Sequence, residues 1–137
     1  MRVMAPLYRW SRSIIGLSAA LLSTGALAHH SFSAEFDVGR PVELTGTLIE
    51  MEWTNPHAWL HLSVTDDTGV EQRWAVEMLG VNSLVRSGMT PQTVKPGDAL
   101  TVTGFGARDG SNTANASSVQ RAGSGENLWA SARESRN

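Results

Sequence analysis

Histidine is the side chain best suited to proton and metal chemistry near neutral pH, and the chain's four copies fall in two pairs. His29 and His30 are adjacent. His57 and His61 flank Trp59 in the stretch Pro56-His57-Ala58-Trp59-Leu60-His61. Cleavage before His29 would put an imidazole and a free α-amine on one residue, with His30 next to it. That set of nitrogens suits Cu(II), which tops the divalent affinity order. Further ligands could come from His57, His61, Glu35 or Asp37. If His57 and His61 share one strand they stand roughly 13 Å apart, so at most one of them can join His29. The plainer reading of His29-His30 is a solvated pair beside a cleavage site. The chain has no cysteine, which excludes disulfides, thiolate metal sites and thiol nucleophiles.

Trp59 suggests a second chemistry. An indole between two polar groups can stack on a sugar or another planar molecule while its neighbours form hydrogen bonds. Arg73, with Glu71 and Glu77, falls on the same side of the next strand-like run. The candidate ligand face is therefore His57, Trp59, His61 and Arg73. The plainer alternative is that an arm or tail covers this face and makes Trp59 structural. No G-x-S-x-G elbow, H-E-x-x-H pair, phosphate loop or dinucleotide fingerprint occurs, and a small barrel offers little cleft for a carboxylate pair. The expectation is a non-enzymatic module that binds a small ligand, a glycan or a protein partner, with copper binding through His29 and His30 as the alternative.

The elements that must position these residues can be read from periodicity. In Val42 to Trp53, Val42, Leu44, Gly46 and Leu48 share one face, then the phase slips so that Ile49, Met51 and Trp53 continue the inward set. A slip near a glycine is the mark of a bulge or bend. After the Thr54-Asn55-Pro56 turn, Ala58, Leu60, Leu62 and Val64 form an apolar stripe, which turns His57, Trp59 and His61 outward. Asp66-Asp67-Thr68-Gly69 is a hairpin turn. The third strand runs from Val70 to Met78, with Val70, Trp74, Val76 and Met78 inward. Val81, Leu84 and Val85 have helical spacing before Gly88 and Pro91. After the Lys95-Pro96-Gly97-Asp98 turn, Ala99 to Ala107 and Thr113 to Arg121 alternate as two more strands, with Leu100, Val102 and Phe105 as core residues of the first. The expected fold is all-β with one short helix: a five-stranded OB-fold-like barrel in the order β-β-β-α-β-β.

Around this barrel, at 42–121, residues 1–28 read as a secretory signal: Arg2, Arg9 and Arg12, an apolar run from Ile14 to Leu22, and the small-residue site Ala26-Leu27-Ala28. The run is too short and too interrupted for a spanning helix of about 20 apolar residues, so no membrane span is expected after cleavage. Residues 29–41 form an extended arm whose Phe32 and Phe36 can lie on the barrel. Residues 122–137 form a flexible tail rich in Gly, Ser and charge, apart from a docking of Leu128 and Trp129. Without its leader the chain has eight Lys and Arg against thirteen acids, a formal −5 compared with −2 for the whole. Such a domain is a poor partner for nucleic acid.

The segments HHSFSAEFD, LTGTLIEMEWTNPHAWLHLSV, WAVEM, KPGD and DGSNTANASSV together resemble a family of small exported bacterial proteins of uncharacterised function. The resemblance extends to about Val119, and the W-T-N-P-H turn is its most specific part. It implies a periplasmic or secreted β-barrel with no established activity. The architecture is also similar to the small periplasmic OB-fold proteins of bacteria, which are thought to bind ligands or stress-related molecules without catalysis.

Overall fold

In the computed structural model, which describes residues 32–131, six strands and one short helix follow a helical turn at 32–35. The strands are β1 (Phe36–Glu52), β2 (Trp59–Thr65), β3 (Glu71–Glu77), β4 (Ala99–Ala107), β5 (Thr113–Arg121) and β6 (Asn127–Ala130). The helix α1 (Val81–Arg86) lies between β3 and β4. Neighbours run β3-β2-β1-β4-β5-β6, and a parallel pairing of β3 with β5 closes the first five into a ring. This barrel-like ring has the strand order expected of an OB-like fold.

The ring closes because β1 is long enough to pair with two partners. Its first part lies against β4 and its second against β2, and the two pairings overlap only at Thr47. Between Leu48 and Glu50 the β1–β2 register shifts. The phase slip expected near Gly46 is therefore a bulge. Ile49 is the extra residue and is exposed instead of inward, while Met51 and Trp53 do pack on the core. Gly46 and Gly104 sit where strands come closest: a Cβ would collide with the Ser63 carbonyl oxygen at the first and the Asn115 carbonyl oxygen at the second.

Leu44, Leu48, Leu60, Leu62, Val76, Leu100, Val102 and Val119 fill the ring, and Leu84 of α1, Met89 and Val94 join the same core. The helix has only this one buried residue, which accounts for its six-residue length and for the exposure of Val85. The Asn55–Pro56 peptide is cis. The turn it belongs to is closed by Thr54, whose hydroxyl donates to the His57 carbonyl oxygen at 2.7 Å.

Two further expectations need correction. Val70, expected inward, is 55% exposed, because it still belongs to the turn that Asp66 organises: Asp66 Oδ1 accepts the Thr68 and Val70 amides. Phe105, expected in the core, is only half-buried and stacks on the arm. The inward set of β4 runs unbroken through Leu100, Val102, Gly104 and Gly106, which leaves Phe105 on the outward phase against the Phe32 ring. The docking expected of Leu128 and Trp129 takes the form of a strand: residues 127–130 make β6 on the free edge of β5, where Trp129 is 5% exposed within the core.

Candidate functional site

Ala58, just before β2, and Leu60 and Leu62 on it are fully buried, so Trp59 and His61 point away from the ring interior. Strand register then sets Trp59 beside Glu77 of β3, Glu77 beside Asn115 of β5, and Asn115 beside Phe105 of β4. One outward row thus crosses four strands. The N-terminal segment lies over this row. Phe36 is 2% exposed, and the Phe32 ring sits 5.6 Å from Phe36 and 6.2 Å from Phe105, the latter edge-on.

Arg108, after β4, fastens the segment. Its amide donates to the Glu35 carbonyl oxygen at 2.9 Å, its Nε donates to the Ser33 carbonyl oxygen at 2.7 Å, and its Nη1 lies 3.9 Å from Asp37 Oδ2. Arg40 adds a hydrogen bond from Nη1 to the Ala107 carbonyl oxygen. Residues 36–41, expected in the arm, are therefore the first residues of β1.

Two clefts share Glu35 and Phe36 as a common wall. One, of about 330 Å³, has Trp59 together with Arg108, Asp109, Ser111 and Thr113. The Asp109 carboxyl is held below its usual range, chiefly by the Ser111 hydroxyl and then by the Ser111 amide, which donates to Oδ1 at 2.9 Å. This cleft thus combines an indole, a guanidinium, an ionised carboxylate and hydroxyls.

The other cleft, of about 170 Å³, is lined by Phe32, His57, Glu77, Met78, Leu79 and Asn115. His57 Nδ1 pairs here with Glu77 Oε1, and the Asn115 amide donates to Glu77 Oε2 at 3.4 Å. The Glu77 side chain is 8% exposed and that of His57 is 52% exposed. A buried carboxylate needs such partners, since its desolvation otherwise costs several kcal/mol. With Nδ1 against the carboxylate, Nε2 is the ring nitrogen left for a ligand.

The four predicted ligand residues separate into two pairs. His57 and Trp59 line the clefts. His61 and Arg73 line neither and sit on glutamates of β1: His61 Nε2 lies 2.6 Å from Glu52 Oε1, and Arg73 Nη2 lies 3.6 Å from Glu50 Oε2. His29 and His30 lie outside the described residues. Among the described residues, no three His, Asp or Glu side chains are grouped to hold a metal ion, and no helix is long and apolar enough to cross a membrane.

Sequence reading missed Glu77, Asn115, Arg108 and Asp109 as site residues. Glu77 alternates outward and reads as solvated, and only the parallel β3–β5 pairing brings Asn115 to it. The available signal was the four-residue spacing of Phe32 and Phe36, which marks a segment that covers something.

Fold and site together define a small OB-like β-ring whose outer face is crossed by its own N-terminal strap. Residues 18–116 match the model of a family of unknown function, DUF6152, and the chain belongs to that family. No curated protein matches the chain.

Proposed function

We propose that the protein is an exported, non-enzymatic binding module whose ligand is a small hydroxylated molecule of the glycan class, seated against Trp59. The observation that carries this reading is the makeup of the larger cleft, where Trp59 stands with Arg108, the ionised Asp109 and the Ser111 hydroxyl. A pyranose has an apolar C–H face that stacks on an indole and a rim of hydroxyls that needs charged and polar partners. A volume of about 330 Å³ matches a ligand of one or two sugar rings. Export follows from the leader-like residues 1–28, and bacterial periplasmic residence from the family resemblance.

The test is a glycan array probed with the wild-type protein and with Trp59→Ala. Retention of a narrow set of glycans, weakened about tenfold or more in Trp59→Ala while the far-ultraviolet circular dichroism is unchanged, is the expected result. An array with no retained glycan, or equal retention by a folded Trp59→Ala protein, overturns the reading.

A further inference from the structure

We propose that the smaller cleft is a second binding site, separate from the Trp59 cleft, and that it takes a neutral phenol ring whose hydroxyl donates to His57 Nε2. The walls decide the ring. Phe32 and Phe36 come from the strap, and Met78 and Leu79 from the chain just after β3. Leu79 is 49% exposed, so half of an apolar side chain at this cleft is left facing water. The volume, about 170 Å³, is close to the roughly 150 Å³ of an apolar cavity that takes a benzene ring. Aromatic walls favour a flat ring in offset or edge-on contact, and a methionine thioether is a favourable neighbour for one.

The imidazole decides the hydroxyl. His57 Nδ1 is committed to the buried Glu77, and among the described residues Nε2 has no partner. Facing a carboxylate, Nδ1 carries the proton, so in the neutral ring Nε2 is an acceptor. The main chain places this acceptor as well. The Thr54 hydroxyl donates to the His57 carbonyl oxygen at 2.7 Å. Next to it, the Ala58 amide donates to the Leu79 carbonyl oxygen at 3.3 Å, and the Met78 amide donates to the Ala58 carbonyl oxygen at 2.9 Å. His57 and the Met78–Leu79 wall are therefore fixed relative to each other before a ligand arrives, which spares the ordering cost of binding.

The charges decide that the ligand is neutral. Glu35 and Glu77 both line the cleft, and no Arg or Lys does. An anion would meet two acids without a counter-ion. Glu35 is exposed, so its pull on an ammonium is screened, and Glu77 already holds His57. A plain hydrocarbon would cover Nε2 and leave it unpaired, which costs binding. A phenol meets every condition, with an apolar ring and one O–H donor. The same ring occurs free or as the tyrosine side chain of a protein partner. Because the Trp59 cleft is a different one, this result and the glycan result can fail independently.

The experiment titrates the wild-type protein with p-cresol, p-methylanisole, toluene, benzoate and benzylamine, followed by nuclear magnetic resonance. p-Cresol should shift the His57 ring signals and leave those of His61 in place. It should bind about tenfold or more tighter than toluene or p-methylanisole, the worth of one hydrogen bond to a group linked to a charge. Benzoate and benzylamine should bind no better than toluene. Two variants follow. His57→Gln, which keeps an amide to face Glu77, should lower the p-cresol affinity to that of p-methylanisole. Leu79→Ser, at a half-exposed position, should weaken p-cresol and toluene alike by about threefold or more. N-acetyltyrosinamide bound as tightly as p-cresol assigns the cleft to a tyrosine side chain, and p-cresol bound without it assigns the cleft to free phenols. Equal binding of p-cresol and toluene, a preference for benzoate or benzylamine, unmoved His57 signals, or wild-type p-cresol affinity in a folded His57→Gln protein overturns the proposal.

Discussion

Phe36→Ala should detach the N-terminal strap while leaving the ring closed. Phe36 is 2% exposed and is the first residue of β1, paired with Ala107, and the register is irregular from there to Pro41. Its ring and that of Phe32 are the apolar attachment of the strap, and Arg108 is the polar one. Removing a buried phenylalanine forfeits about 1.5–3 kcal/mol of transfer free energy, and about 3–5 kcal/mol where the cavity persists. Here the segment lies ahead of the regular ladder and can withdraw, so the cavity contribution is relieved. The expected loss is therefore about 2–3 kcal/mol, confined to docking of the strap. That corresponds to a roughly 30- to 150-fold rise in its open population. Amide hydrogen exchange reads this directly, because the Arg108 amide donates to the Glu35 carbonyl oxygen. Its protection should fall by that factor while ladder amides of β2 and β3 change by less than about threefold. Equal loss at Arg108 and in the β2–β3 ladder would show that the strap is integral to the core. Unchanged protection at Arg108 would show that Phe36 does not hold it.

Trp129→Ala should cost about 3–5 kcal/mol in denaturant unfolding, because the indole is buried in the main core; a loss below about 1 kcal/mol would mean that β6 is a dispensable edge. Asp98→Asn addresses pH. The Asp98 carboxyl is held below its ordinary value, first by the Lys95 amide and then by Arg121, so its contribution is present above the unfolded-state value and is lost as pH falls through the lower folded-state value. Wild type should exceed Asp98→Asn in denaturant midpoint near neutral pH and converge on it at about pH 2; a gap that persists in acid refutes the assignment.

Period-two alternation made the ring legible, since the apolar stripe from Ala58 through Leu62 has no other way to be buried at once. The bend in β1 was legible for the same reason: an inward set that changes phase requires an extra residue. What escaped depends on partners distant in sequence. Phe105 reads as core by its ring alone, although the alternation of Leu100 and Val102 continues through Gly104 and Gly106 and turns it outward, where the strap ring of Phe32 meets it. The docking of Trp129 could be expected from its side chain, but not the edge of β5 on which it pairs as a strand. Alternation turns Glu77 outward but gives only the direction of a side chain and not what lies over it, so its burial is not legible. The site was half legible on the same grounds. His57 and Trp59 follow from β2 alone, whereas Arg108, Asp109 and Asn115 come from the other side of the ring.

The two histidine–glutamate pairs on this face are built in opposite ways, and the contrast bears on what His57 is for. In the His61–Glu52 pair the imidazole is 14% exposed and the carboxylate 45%. The charge most costly to desolvate stays in water and the ring supplies packing, as expected of a pair that only covers a strand. The His57–Glu77 pair reverses this, with the carboxylate buried and the ring outside. Burying the acid is costly, and among the described residues its second oxygen has only the long contact from Asn115 in compensation. An apolar residue or glutamine at position 77 would fill the same space at less cost to folding. What a carboxylate adds there is a fixed acceptor that sets the orientation and tautomer of an exposed imidazole, leaving Nε2 directed outward at the cleft beside Glu35. That is an arrangement suited to holding a ligand, which a purely structural account of the face leaves unexplained.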